Sequence, residues 1–206
     1  MRFNLLFSLA LGAITTLGAP ALAQDVVGTS TVEGRAVELL SNNTWRFSDL
    51  SVVPENCELI QTPVSFCDTN SRWSRLPFAP SPVINAMYQL DDRTYGMLIV
   101  ESLGFRDGLT YDNFRNAILS NFAGITGTSV ENVPVFAEFD GSVSGQDVES
   151  FAYGGLVEGL NFVYLNTTHL TETSASQLVT YVIGPEIPTS HRAMHDEFLR
   201  QINLEQ

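Results

Sequence analysis

The chain has 206 residues, 44% of them hydrophobic, with 10 basic against 23 acidic side chains and a net charge of −13. All ten basic residues are arginine, and the lack of lysine argues against P-loop nucleotide hydrolysis, Schiff-base catalysis and pyridoxal phosphate attachment, each of which uses a lysine amine. The acidic excess repels nucleic acid and anionic lipid, so neither is an expected partner.

The N-terminus reads as a cleavable secretory signal: Arg2, then an apolar run over residues 5–17 broken by Gly18 and Pro20, then Ala21-Leu22-Ala23. The small-x-small triplet places the cut between Ala23 and Gln24. The run is shorter than the roughly 20 residues that cross a bilayer, and no cation follows it to stop transfer. No second long apolar segment exists, so no membrane span is expected. No cysteine lies near the cut, which argues against a lipid anchor. The pattern is bacterial in style and predicts a periplasmic or secreted protein whose mature part, residues 24–206, forms one globular domain. Cleavage removes Arg2 and no carboxylate, taking the net charge to −14.

Residues 35–40, a turn at Ser41-Asn42-Asn43 and residues 44–47 predict a β-hairpin, with Trp45 and Phe47 on one face as core. Residues 50–82 hold Pro54, Pro63, Pro77, Pro80 and Pro82 and predict an ordered but irregular excursion. Within it, Cys57 and Cys67 are expected to form a disulfide, because export exposes them to an oxidising compartment and C-x9-C lacks redox-motif spacing. This hairpin and irregular segment, residues 24–86, precede an α+β core over residues 87–206. That core opens with a second hairpin, residues 87–90 and 95–101, turning at Asp91-Asp92-Arg93-Thr94.

A helix follows, capped by Thr110, closed by Gly124 and striped by Tyr111, Phe114, Ile118 and Phe122. Strands are predicted at residues 133–139, 148–153, 160–166 and 177–183, with Pro134 placing the first at a sheet edge. A last helix begins near Ser190. Hairpins with two segregated helices predict an α+β fold, an antiparallel sheet with helices packed on it.

The order of elements over residues 88–202 resembles the PsbP-like family. The resemblance is carried by the hairpin, the helix with Phe114-Arg115-Asn116-Ala117-Ile118, the strands with Phe162-Val163-Tyr164 and Gln177-Leu178-Val179-Thr180-Tyr181, and the final helix with His195-Asp196-Glu197-Phe198. It implies an accessory or binding role.

No complete catalytic motif and no cofactor motif is present. Gly141-Ser142-Val143-Ser144-Gly145 lacks the central serine of G-x-S-x-G and reads as a loop. Asp91-Asp92 reads as turn chemistry. Glu186 and Glu197 have no partner that sequence identifies. The sequons at Asn42 and Asn166 are expected to be idle in a bacterial protein. His191 and His195 have i,i+4 metal-ligand spacing, yet they share a helical stripe with Met194, Phe198 and Ile202, so packing on the sheet is the expectation and no metal is assigned. Asp196 points away from that stripe, and His169 lies in a Thr-rich segment read as a loop. Two functions follow as expectations. One is a non-catalytic binding or accessory module for a protein or small cationic ligand. The other is a hydrolase whose site gathers scattered carboxylates with His169, His191 or His195.

Overall fold

The computed structural model describes residues 25–32, 35–47, 56–67, 72–184 and 190–204. The signal segment, its cut after Ala23, Pro54 and Glu186 lie outside the described residues. The first sheet has three antiparallel strands, β1 (Val26–Val32), β2 (Arg35–Leu40) and β3 (Trp45–Phe47), in the order β1-β2-β3. The predicted hairpin is β2 and β3, with Leu39 opposite Trp45 and Val37 opposite Phe47. Strand β1 was not expected, because Gly28, Ser30 and three threonine or valine neighbours carry no clean alternation. The core assignment of Trp45 is corrected. It is 53% exposed beside exposed Leu39, while Val37 on the same strand is buried.

The segment expected to be irregular contains a second hairpin, β4 (Cys57–Gln61) and β5 (Val64–Cys67), which β13 (Ile202–Leu204) completes in the order β13-β5-β4. The prolines did exclude long elements. Pro63 falls in the turn, and Pro77, Pro80 and Pro82 fall in the loop after the two-residue strand β6 (Ser74–Arg75). Short strands fit between them. Cys57 stands directly opposite Cys67 across β4 and β5, with Cα atoms 3.8 Å apart, and the two are disulfide-bonded. A crosslink closing so short a loop stabilises by about 2.5–3 kcal/mol through the entropy of the unfolded chain. Replacing both cysteines by alanine is therefore expected to lower the urea-unfolding free energy by about that amount, and thiol labelling of the denatured native chain should find no free thiol. Two labelled thiols, or unchanged stability, would contradict the crosslink.

The central sheet has seven antiparallel strands in the order β6-β7-β8-β12-β11-β10-β9. Its members are β7 (Ala86–Gln89), β8 (Thr94–Glu101), β9 (Val135–Val143), β10 (Gln146–Val157), β11 (Leu160–Leu170) and β12 (Ala175–Ile183). All four late strands were anticipated, and each is longer than its apolar pattern alone suggests. Strands β9 and β10 are joined by Ser144-Gly145, and β10 and β11 by Glu158-Gly159. All four of these residues have positive φ, the type I′ geometry that matches strand twist. Gly141, Ser142 and Val143 therefore finish β9 and do not form a loop.

Helix α1 (Tyr111–Thr126) packs on one face of this sheet. Thr110 caps it as expected, accepting from the Asn113 N–H while Asn113 Oδ1 accepts from the Thr110 N–H. The closing residue is corrected from Gly124 to Gly127. Gly127 takes the left-handed φ of 67° and bonds its N–H to the Ala123 carbonyl, leaving Gly124 inside the helix. Phe114, Ile118, Leu119 and Phe122 face Phe151, Tyr153 and Leu170 of the sheet. The opposite face carries α2 (His191–Leu199) and the β13-β5-β4 sheet. Among the described residues these elements make an α+β fold of antiparallel sheets with two α-helices.

Candidate functional site

Helix α2 was the one place where sequence spacing suggested ligand chemistry. It buries His191, His195 and Phe198 and turns Arg192, Asp196 and Glu197 outward. The helix stops at Leu199, so Ile202 contributes to the core from β13 and not from the helical stripe. On the outer side Arg192 donates to Asp196 at 2.9 Å and lies 3.5 Å from the Phe139 ring centroid. Arg72 grips Glu197 with two bonds of 3.1 and 2.6 Å, which holds that carboxyl below the usual range. None of these charges reaches the histidines by hydrogen bond.

Beneath the helix, hydroxyls on two strands meet the two imidazoles, and a third strand extends the chain through Ser150. Thr180 Oγ1 lies 3.1 Å from His191 Nε2 and 2.9 Å from His195 Nδ1. Thr167 Oγ1 lies 2.8 Å from His195 Nε2 and 2.7 Å from Ser150 Oγ. The bonds form one directional chain. If Thr180 donates to His195 Nδ1, then His195 Nε2–H donates to Thr167, Thr167 donates to Ser150, and His191 Nε2–H donates to Thr180. Reversing every donor satisfies the same contacts, and in both directions each ring is neutral. His191 Nδ1 is buried without a hydrogen-bond partner.

Burial pushes His195 down to about 3, with the nearby His191 and Arg192 adding to the effect, and pushes His191 down to about 4. A metal centre needs accessible nitrogens and further donors. Both nitrogens of His195 are engaged by hydroxyls, and among the described residues no group of three or more His, Cys, Asp or Glu is placed to hold a metal ion. A general base would need an orienting carboxylate and substrate access. His195 is 0% exposed and His191 1%.

The other sequence candidates are scattered. His169 is corrected from loop to strand: it sits on β11 opposite Ser176, buried, on the same face as Thr167 two positions away. Burial lowers its pKa, its Nδ1 has no partner, and no described hydrogen bond joins it to the other histidines. Ser144 Oγ donates to the Ile202 carbonyl and accepts from the Leu204 N–H, at 3.0 and 3.2 Å, so it fastens β13. Asp91 accepts from the Arg93 N–H in the β7–β8 turn, as expected of turn chemistry. Asn42 lies on an exposed turn, where its side chain bonds Thr44, whereas Asn166 is fully buried and closed to modification in the folded chain. A shallow cleft of about 300 Å³ lies between β7 and the proline loop, lined by Arg75, Phe78, Asn85 and Met87 among others. Its one cation, Arg75, is paired with Glu58 at 2.7 Å.

No protein-family model and no curated protein sequence matches the chain. Solved structures similar to it include cyanobacterial PsbP from Synechocystis sp. PCC 6803, at 11% identity and a TM-score of 0.45, covering 69% of this chain and 86% of that one. A protein from Bacteroides thetaiotaomicron is similar at 11% identity and a TM-score of 0.42, covering 70% of this chain and 46% of its own length.

Proposed function

We propose that the mature chain is an exported, periplasmic binding or accessory module that acts by holding a protein or small cationic ligand and not by turning a substrate over. The observation that carries this reading is the state of the histidines. A hydrolase site assembled from scattered residues needs an imidazole that meets a carboxylate and a substrate in a cleft. Here all three histidines are buried, and the two on α2 are bonded to threonine hydroxyls. The Cys57–Cys67 bond suits an oxidising compartment, and among the described residues no helix is long and apolar enough to cross a membrane. The mature charge of −14 favours a cationic partner and an association that salt weakens.

The test is to assay purified residues 24–206 against ester, phosphomonoester, glycoside and peptide substrates, with a His195→Gln variant alongside. The same domain is then immobilised and exposed to envelope extract at low and raised salt. No turnover above the blank is expected, together with a component retained at low salt and released as salt rises. Turnover that disappears in a folded His195→Gln protein would overturn the binding reading.

A further inference from the structure

The geometry points to β9 as a docking edge: its free side takes up an extended segment of a partner protein, bearing arginine or lysine at alternate positions, as an added strand. This rests on the binding reading above and names its surface. Strand β9 ends the seven-stranded sheet, pairs with β10 on one side, and among the described residues pairs with no strand on the other. It is nine residues long, and all but Phe139 and Val143 are exposed. A long open edge presents a row of unpaired backbone groups, the template that strand addition uses.

The register shows which groups those are. Val143 and Gln146 flank the two-residue turn and so exchange hydrogen bonds with each other. Alternation from that pair turns the backbone of Gly141, Phe139 and Ala137 towards β10 and that of Ser142, Asp140 and Glu138 outward. At the far end Ala137 pairs with Ala152 but Val135 pairs with Tyr153, so Phe136 is the bulged extra residue and stands 50% exposed. The bulge and Pro134 end the usable edge there.

Charge selects the occupant. Glu138 and Asp140 share the α1 side of the sheet, where Glu138 is paired with Arg115. Asp140 and Asp112 raise the carboxyl pKa of neighbouring Glu149, after burial itself. Arg115 thus faces three carboxylates, Glu138, Asp112 and Glu149, and Asp140 adds its charge beside Glu149. A residue on an added strand sits about 5 Å from its opposite number, close enough for its charge to matter. A second copy of this chain paired about Phe139 would set Glu138 against Asp140 twice, which disfavours self-association. An alternating basic strand places its cations against the same carboxylates and its intervening apolar residues on the Phe139 side.

The experiment uses an ¹⁵N-labelled mature domain and, as probe, a nine-residue peptide of alternating arginine and valine. The Glu138 and Asp140 amides are expected to shift and to exchange roughly tenfold more slowly on binding, with affinity falling roughly tenfold between low salt and about 0.3 M salt. The same peptide N-methylated throughout keeps its charge but cannot form a strand, and should not produce this protection. Asp140→Pro removes one outward N–H while leaving the inward bonds of Phe139 and Gly141, and should abolish binding. If that variant does not fold, the N-methylated peptide decides the matter on the native chain. Equal binding of the N-methylated peptide, or protection located away from β9, would overturn the edge assignment. Turnover by the domain defeats the binding reading itself. An inert domain whose partner is still held by folded Asp140→Pro protein defeats the edge alone.

Discussion

Phe198→Ala is expected to lower the unfolding free energy by about 3–5 kcal/mol, the cost of emptying a fully buried aromatic site. The ring has no exposure and joins three others, with centroids 4.8 Å from Trp73 and 5.8 Å from both Phe66 and Tyr88. These rings come from β5, the segment before β6, β7 and α2, so one side chain ties the disulfide hairpin, the central sheet and the last helix together. Gly96 on β8 makes room for it: a Cβ there would lie 2.5 Å from the Phe198 ring. Gly96→Ala should therefore destabilise by about 1–3 kcal/mol through overpacking. In the Phe198→Ala background the added methyl enters the vacated space, so the double variant should lose less than the sum. Urea unfolding of the four proteins measures the cycle. Additive losses would mean that Gly96 is not there for the ring.

Much of this arrangement was legible because the signals are local. The Thr110 cap, the strand-edge proline Pro134, the turns at Asn42 and Asp91 and the helix start near Ser190 each act within a few residues. The misreadings share a cause. Gly124 and Gly127 are both credible helix stops, and which one takes positive φ depends on Phe122 and Ala123 staying in register with the sheet. Strand β13 is three residues long and exists because β5 offers an edge and Ser144 fastens its backbone. His169 followed Asn166, Thr167 and Thr168, a run that suits a turn alone and a strand once β12 pairs with it. At the candidate site, the buried histidine stripe was visible at helical spacing. Its partners were not, since Thr180 lies 15 and Thr167 lies 28 positions from His195 and only the sheet brings them together.

The burial of those two imidazoles predicts acid lability centred above the carboxylate range. The folded chain holds His191 and His195 neutral with pKa values of about 4 and 3, and His169 is also lowered, whereas an unfolded histidine titrates near 6.5. Between those limits the unfolded chain binds more protons, so stability is fully present above about pH 6.5 and falls as pH drops below it. Each histidine supplies a slope of up to about 1.4 kcal/mol per pH unit, so the α2 pair should remove several kcal/mol by about pH 4.5. The Arg-paired carboxyls of Glu197 and Glu138 have lowered pKa values, so their contribution is lost only at lower pH. Glu149, raised by burial, works in the opposite direction. Urea unfolding at a series of pH values from about 7.5 to 4.5 should show this decline. A His191→Gln/His195→Gln variant should be less stable at neutral pH but much flatter across the series, leaving the slope from His169. If the native chain is equally stable at both ends, the imidazoles are not held neutral under α2. If the double variant declines as steeply as the native chain, the acid sensitivity arises elsewhere.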